Sequence, residues 1–136
     1  MTGVVVDTSV WIEYFSENKK VLPEVEILHE LLLNNQRILL CPIVYQEILQ
    51  GIREENVYAE LKEILESFPM LSFDILEVTK NAIDLYRGLR KKGVTIRKPY
   101  DCVIASYANM ANAPVLHNDS DFENMEKNRK IKVYRG

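Results

Sequence analysis

Four carboxylates stand out by the residues around them. Asp7 closes the apolar run of "GVVVDTSVWIEYF", Glu47 lies inside "CPIVYQEILQGI", Asp101 follows "KPY", and Asp119 ends "APVLHND". Acids that converge at a buried edge repel one another, and burial raises their pKa values, unless a cation neutralises them. A ligand set made only of oxygen favours Mg²⁺ or Mn²⁺ over zinc, and no His/Cys spacing competes for a metal. One or two such ions polarise a phosphodiester and acidify a bound water, so the chemistry these residues would serve is phosphate-ester hydrolysis. Asp7 and Asp101 are the foremost expected ligands, with Asp119 completing the metal set and Glu47 the catalytic one. Ser9, just past Asp7, is placed to hold that carboxylate or a bound water by hydrogen bonding, with Thr8 and Asn118 as further polar support. Taken singly, each acid reads more simply as a helix cap or a solvated charge; a shared edge is what argues for a site.

That edge depends on the elements between the acids. Val4–Val6 are β-branched and uninterrupted, as in a strand buried on both faces of a parallel sheet, which leaves Asp7 at its carboxyl end. Thr8 or Ser9 is expected to cap a short helix beginning near Val10, and "VLPEVEILHELLLNN" continues as a second helix with Pro23 in its first turn. "RILLCP" reads as a strand stopped by Pro42, and Tyr45, Ile48, Leu49 and Ile52 then keep helical spacing with Glu47 beside the core face. Leu61, Ile64, Leu65 and Phe68 mark a further helix, "LSFDIL" a short strand, and 78–92 a long helix that Gly93 stops. Val103, Ile104, Tyr107, Ala108 and Ala111 share a helix face, so Asp101 falls at a helix start. The strand "APVLHND", a brief helix around 123–127 and a last strand "KIKVYR" follow. Strands alternating with helices predict an α/β fold with a central, mainly parallel sheet covered on both faces. Ligands of such sheets bind beyond the carboxyl ends of the strands, where Asp7 and Asp119 lie.

Composition agrees with one compact unit over 1–136. The chain is 47% hydrophobic and 27% charged with five Gly and five Pro, which excludes disordered and fibrous classes. A formal charge of -3 argues against binding nucleic acid by overall attraction, so any such contact needs a local patch. Between Arg87 and Lys98 there are six basic residues and no acid, with Lys92, Arg97 and Lys98 the candidates for gripping phosphates; a solvated helix end, where cations suit the dipole, is the plainer alternative. Cys41 and Cys102 read as buried inert thiols. With no signal sequence and no apolar stretch of about 18 residues, a reduced cytoplasmic protein without membrane contact is expected. Tyr45, Tyr86 and Tyr107 lie at helical core spacing, while Trp11, Tyr14 and Phe15 suit a core or an interface equally.

"VVVDTSVWIEYF", "CPIVYQEILQGI" and "KPYDCVIASYANMANAPVLHNDSDF", in that order, resemble the PIN-domain nucleases. Chain length and motif spacing are most similar to the VapC-type toxins of VapBC toxin–antitoxin pairs. The resemblance spans nearly the whole chain and implies a single PIN domain with a three-layer α/β/α fold. It carries the family's acidic quartet onto Asp7, Glu47, Asp101 and Asp119 and its small polar helper onto Ser9. It also implies a Mg²⁺- or Mn²⁺-dependent endoribonuclease leaving a 5′-phosphate and a 3′-hydroxyl, a homodimer, and inhibition by a VapB-type antitoxin. His117 stands where the family usually has Thr or Ser, and Asp121 adds a second acid that either assists Asp119 or caps the next helix. Two other classes fit parts of the pattern. One is a PIN-like module that binds RNA or protein without cutting; the other is a receiver-type phosphorylation switch, which lacks here its acidic pair after the first strand and its late Lys.

Overall fold

A computed structural model describes residues 3–16 and 22–136. Three short parallel strands form the centre: β1 (Val4–Val6) lies between β2 (Ile38–Leu39) and β3 (Val115–Leu116), with Val4 opposite Ile38 and Val6 opposite Leu116. Their seven residues are all buried, which is why the sequence uses Val, Ile and Leu without alternation. Gly3 leads into β1 because there is no room for more: a Cβ there would stand 2.7 Å from Leu39 Cγ.

Seven helices among the described residues complete the α/β/α layers: α1 (Thr8–Phe15), α2 (Pro23–Leu33), α3 (Pro42–Gln50), α4 (Glu55–Glu66), α5 (Ile75–Lys91), α6 (Pro99–Met110) and α7 (Ser120–Lys127). Pro opens α2, α3 and α6, where its missing N–H costs nothing and its fixed φ suits the first turn. The central helix α6 is buried along most of its length, and Ser106 Oγ donates to Val78 O at 2.9 Å, tying α6 to α5. Trp11 is fully buried and stacks on Phe15 with ring centroids 5.6 Å apart, which assigns it to the core. Cys41 and Cys102 are buried free thiols. None of the described helices is long and apolar enough to cross a membrane.

Several expected boundaries move. Val21, which opens the segment read as the second helix, lies outside the described residues. Asp7, rather than Thr8 or Ser9, caps α1: its extended backbone and its carboxylate, which accepts from Ser9 N, start the helix at Thr8, two residues before Val10. "LSFDIL" is not a strand. Asp74 caps α5 by accepting from Glu77 N at 3.1 Å, and Ile75 and Leu76 are exposed in its first turn, so their apolar character does not report sheet burial. The sheet contact falls one residue earlier, as a single parallel bridge of Met70 with Leu40. "KIKVYR" likewise contributes one bridge, Val133 to Val115, instead of a strand. β2 keeps two residues of "RILLCP", with Leu40 bridging to Met70 beyond them, and β3 keeps two of "APVLHND".

Candidate metal-binding active site

The carboxyl edge of the sheet gathers the acids. Asp7 N donates to Leu116 O at 2.9 Å, extending the β1–β3 ladder by one bond and fixing Asp7 beside the segment that leads to Asp119. The Asp7 side chain is buried, and Ser9 Oγ donates to its Oδ2 at 2.6 Å. Thr8 Oγ1 donates to Glu47 Oε1 at 2.9 Å, joining the start of α1 to α3 and holding Glu47 at the same edge. Asp101, in the first turn of α6, is only 5% exposed. Asp7, Thr8, Ser9, Glu47 and Asp101 line one cleft of about 210 Å³ with Ile12, Lys98 and Tyr100.

Asp119 and Asp121 approach from the start of α7. Asp119 is its N-cap and accepts from Asp121 N at 2.8 Å. Both Asp121 oxygens are committed: Oδ1 accepts from Arg97 N and Oδ2 from Lys98 N, each at 3.0 Å. Lys98 Nζ pairs closely with Asp119 Oδ2 and lies 3.8 Å from Asp101 Oδ2. One carboxylate oxygen each from Asp101, Asp119 and Asp121 falls within 4.8 Å of the others.

The electrostatics are those of a site short of positive charge. Burial, then the nearby Asp7 charge, pushes the Asp101 carboxyl up to about 8. Burial also raises Asp7, and its hydrogen bonds from Ser9 and Thr8 oppose this without cancelling it. Lys98 is raised: burial works against its charge, but the bond to Asp119 and the fields of Asp101, Asp119 and Asp7 outweigh it. Asp121 is lowered; burial would raise it, and the two backbone donors from Arg97 and Lys98 reverse the sign.

Whether these residues fit a divalent cation is answered by one atom. Asp101 Oδ2 is a buried side-chain oxygen with no hydrogen-bond partner among the described residues. An orphaned, buried carboxylate oxygen is costly in a folded protein unless a cation satisfies it. Every donor around it is an oxygen, and the nearby Lys98 ammonium shows that the group calls for positive charge.

Not every expected residue joins the cleft. Asn118 is exposed and lines a separate hollow with His117, Glu123, Glu126 and Arg135. His117 Nδ1 accepts from Asp119 N at 3.2 Å, its ring lies 5.2 Å from that of Phe122, and burial lowers its pKa. Arg97 stands 3.9 Å from Asp121 with its side chain in solvent, and Lys92 is exposed at the end of α5. Sequence reasoning missed the Thr8–Glu47 bond, the Lys98 pairing and Tyr100 on the cleft wall; the last had a signal in its place directly before Asp101.

The PIN domain model matches residues 4–128, and the chain belongs to the PIN-domain family. It is 32% identical over 120 residues to Ribonuclease VapC11 of Mycobacterium tuberculosis, covering 88% of this chain and 89% of that protein. VapBC2 from Rickettsia felis, solved bound to a promoter DNA fragment, superposes with a TM-score of 0.73 at 20% identity, covering 97% of each chain. VapBC-1 from nontypeable Haemophilus influenzae gives 0.70 at 22% identity over 98% of this chain and 97% of that one, and both share its fold. The receiver-type reading is thereby set aside.

Proposed function

We propose that this chain is a divalent-cation-dependent endoribonuclease, the toxin of a toxin–antitoxin pair. The observation that carries the reading is the buried Asp101 Oδ2, without a hydrogen-bond partner among the described residues, at a cleft lined also by Asp7 and Glu47. Asp7, Asp101 and Asp119 would hold Mg²⁺ or Mn²⁺, which when bound would neutralise the scissile phosphate and activate water. Ser9 fixes the Asp7 rotamer, and Thr8 orients Glu47 to take the proton of the attacking water. Asp119 serves as the fourth acid: both Asp121 oxygens secure the 97–98 backbone, whereas Asp119 Oδ2 is held by a lysine side chain that a cation can replace. Lys98 is placed to meet phosphate oxygens once a cation relieves it of Asp119.

The match to a VapC ribonuclease supports RNA as substrate, and the VapBC pairs among its structural neighbours support a VapB-type antitoxin. The same reading has residues 1–136 acting as one PIN unit, as a homodimer, in the cytoplasm. End analysis of RNA fragments made by the purified protein tests it: 5′-phosphate and 3′-hydroxyl ends are expected. Fragments ending in 2′,3′-cyclic phosphate would overturn it, since attack by water on phosphorus leaves no such ring. A second reading, a PIN-like module that binds without cutting, is favoured by one feature: Lys98 already neutralises Asp119 from within the chain.

A further inference from the structure

The geometry points to Tyr100 as the residue that positions the substrate, by stacking a nucleobase beside the scissile phosphate. This rests on the nuclease reading above and names a contact that the acids cannot supply.

Tyr100 sits one residue before Asp101 in the first turn of α6, and it breaks the pattern of that helix. Residues 101, 102 and 104–108 are buried, whereas Tyr100 is 61% exposed. It has no hydrogen bond, ion pair or ring contact among the described residues, so none of these uses its face. Yet it lines the acid cleft, where Ile12, itself 53% exposed, is another apolar wall.

The cleft's charge gives this ring a task. Four acids gather at the cleft and its edge, the protein carries a formal charge of -3, and Lys98, the one cation lining the cleft among the described residues, is paired to Asp119. The chain's own side chains therefore offer the cleft little phosphate attraction, the usual source of RNA affinity, beyond Lys98. Affinity that does not depend on charge comes from stacking, and among the described residues Tyr100 is the only aromatic ring that lines this cleft. A base must leave its own stack to meet such a ring, so the contact selects an unpaired nucleotide. Because Tyr100 adjoins Asp101 in sequence, a stacked base fixes the neighbouring phosphate against the acids.

Two assays on the full-length protein test this. In steady-state cleavage of a labelled random single-stranded RNA pool, Tyr100→Ala is expected to raise KM about ten-fold or more with kcat changed less, and to alter nucleotide frequencies beside the cut. Tyr100→Phe, which keeps the ring, is expected to match the wild type. In filter binding, with cleavage blocked by chelator, a wild-type preference for an oligonucleotide over its abasic counterpart of equal charge should vanish in Tyr100→Ala and persist in Tyr100→Phe. Cleavage by Tyr100→Ala with unchanged KM and cut-site frequencies overturns the Tyr100 assignment and leaves the nuclease reading standing. If the wild type cuts no RNA but keeps a Tyr100-dependent preference for bases, the nuclease reading falls and the platform survives. No preference for bases over the abasic strand overturns the assignment, as does a Phe variant as impaired as Ala.

Discussion

Asp101 and Asp121 are both buried acids on the same edge, and their surroundings drive them in opposite directions. Asp101 has an orphan oxygen and its carboxyl is pushed up to about 8, by burial first and by Asp7 next. Between the ordinary carboxyl range and about pH 8, the folded protein holds a proton that the unfolded chain has released. Stability without metal must therefore fall as pH rises through that window. Thermal melting in chelator is expected to give a lower midpoint at pH 8 than at pH 5, and Asp101→Asn to narrow the gap, on the order of 5 °C. A gap of unchanged size in the variant would count against the assignment. Asp121 accepts two backbone N–H bonds and is lowered, so its contribution is present at neutral pH and lost as the medium becomes acidic. Removing it leaves two partly buried backbone donors without their acceptor: Asp121→Ala is expected to cost about 2 kcal/mol in urea unfolding at pH 7, and a loss below half a kcal/mol would contradict the structural role.

At the scale of elements, legibility in the sequence followed burial. β1 was readable because Val4–Val6 are covered on both faces, and the starts of α3 and α6 because Pro42 and Pro99 announce them. Glu47 beside the α3 core face was readable for the same reason, since helical spacing fixes which side of the helix it takes. What spacing cannot encode is the partner across the fold, so the Thr8–Glu47 bond, between residues 39 apart, had no local trace. "LSFDIL" misled because Ile75 and Leu76 are apolar yet exposed, while Asp74 acts as a cap. Capping makes its own prediction: Asp74→Ala should destabilise by about 1 kcal/mol without touching the cleft. The pairing of β1 with β2 makes another. Gly3→Ala would force a methyl to within 2.7 Å of the buried Leu39 side chain, and it should cost about 1–3 kcal/mol in denaturant unfolding. A neutral Gly3→Ala would mean that the strands separate more easily than their packing implies.

For the whole molecule, the central proposal is that the sheet edge holds a cation against RNA. The fold brings Asp7 from β1, Glu47 from α3, Asp101 from α6 and Asp119 from the cap of α7 to that edge, although 112 positions separate the first from the last. A chain of this charge that binds a divalent ion there should gain stability by mass action, more at pH 8 than at pH 6, because the ion displaces a proton from Asp101. The most direct test remains cleavage of mixed cellular RNA by purified, antitoxin-free protein with Mg²⁺ or Mn²⁺, set beside chelator and beside Asp101→Asn. Cutting that needs the metal and disappears in a folded Asp101→Asn variant is the predicted result. Cutting that survives chelation, or proceeds undiminished in Asp101→Asn, would contradict the account.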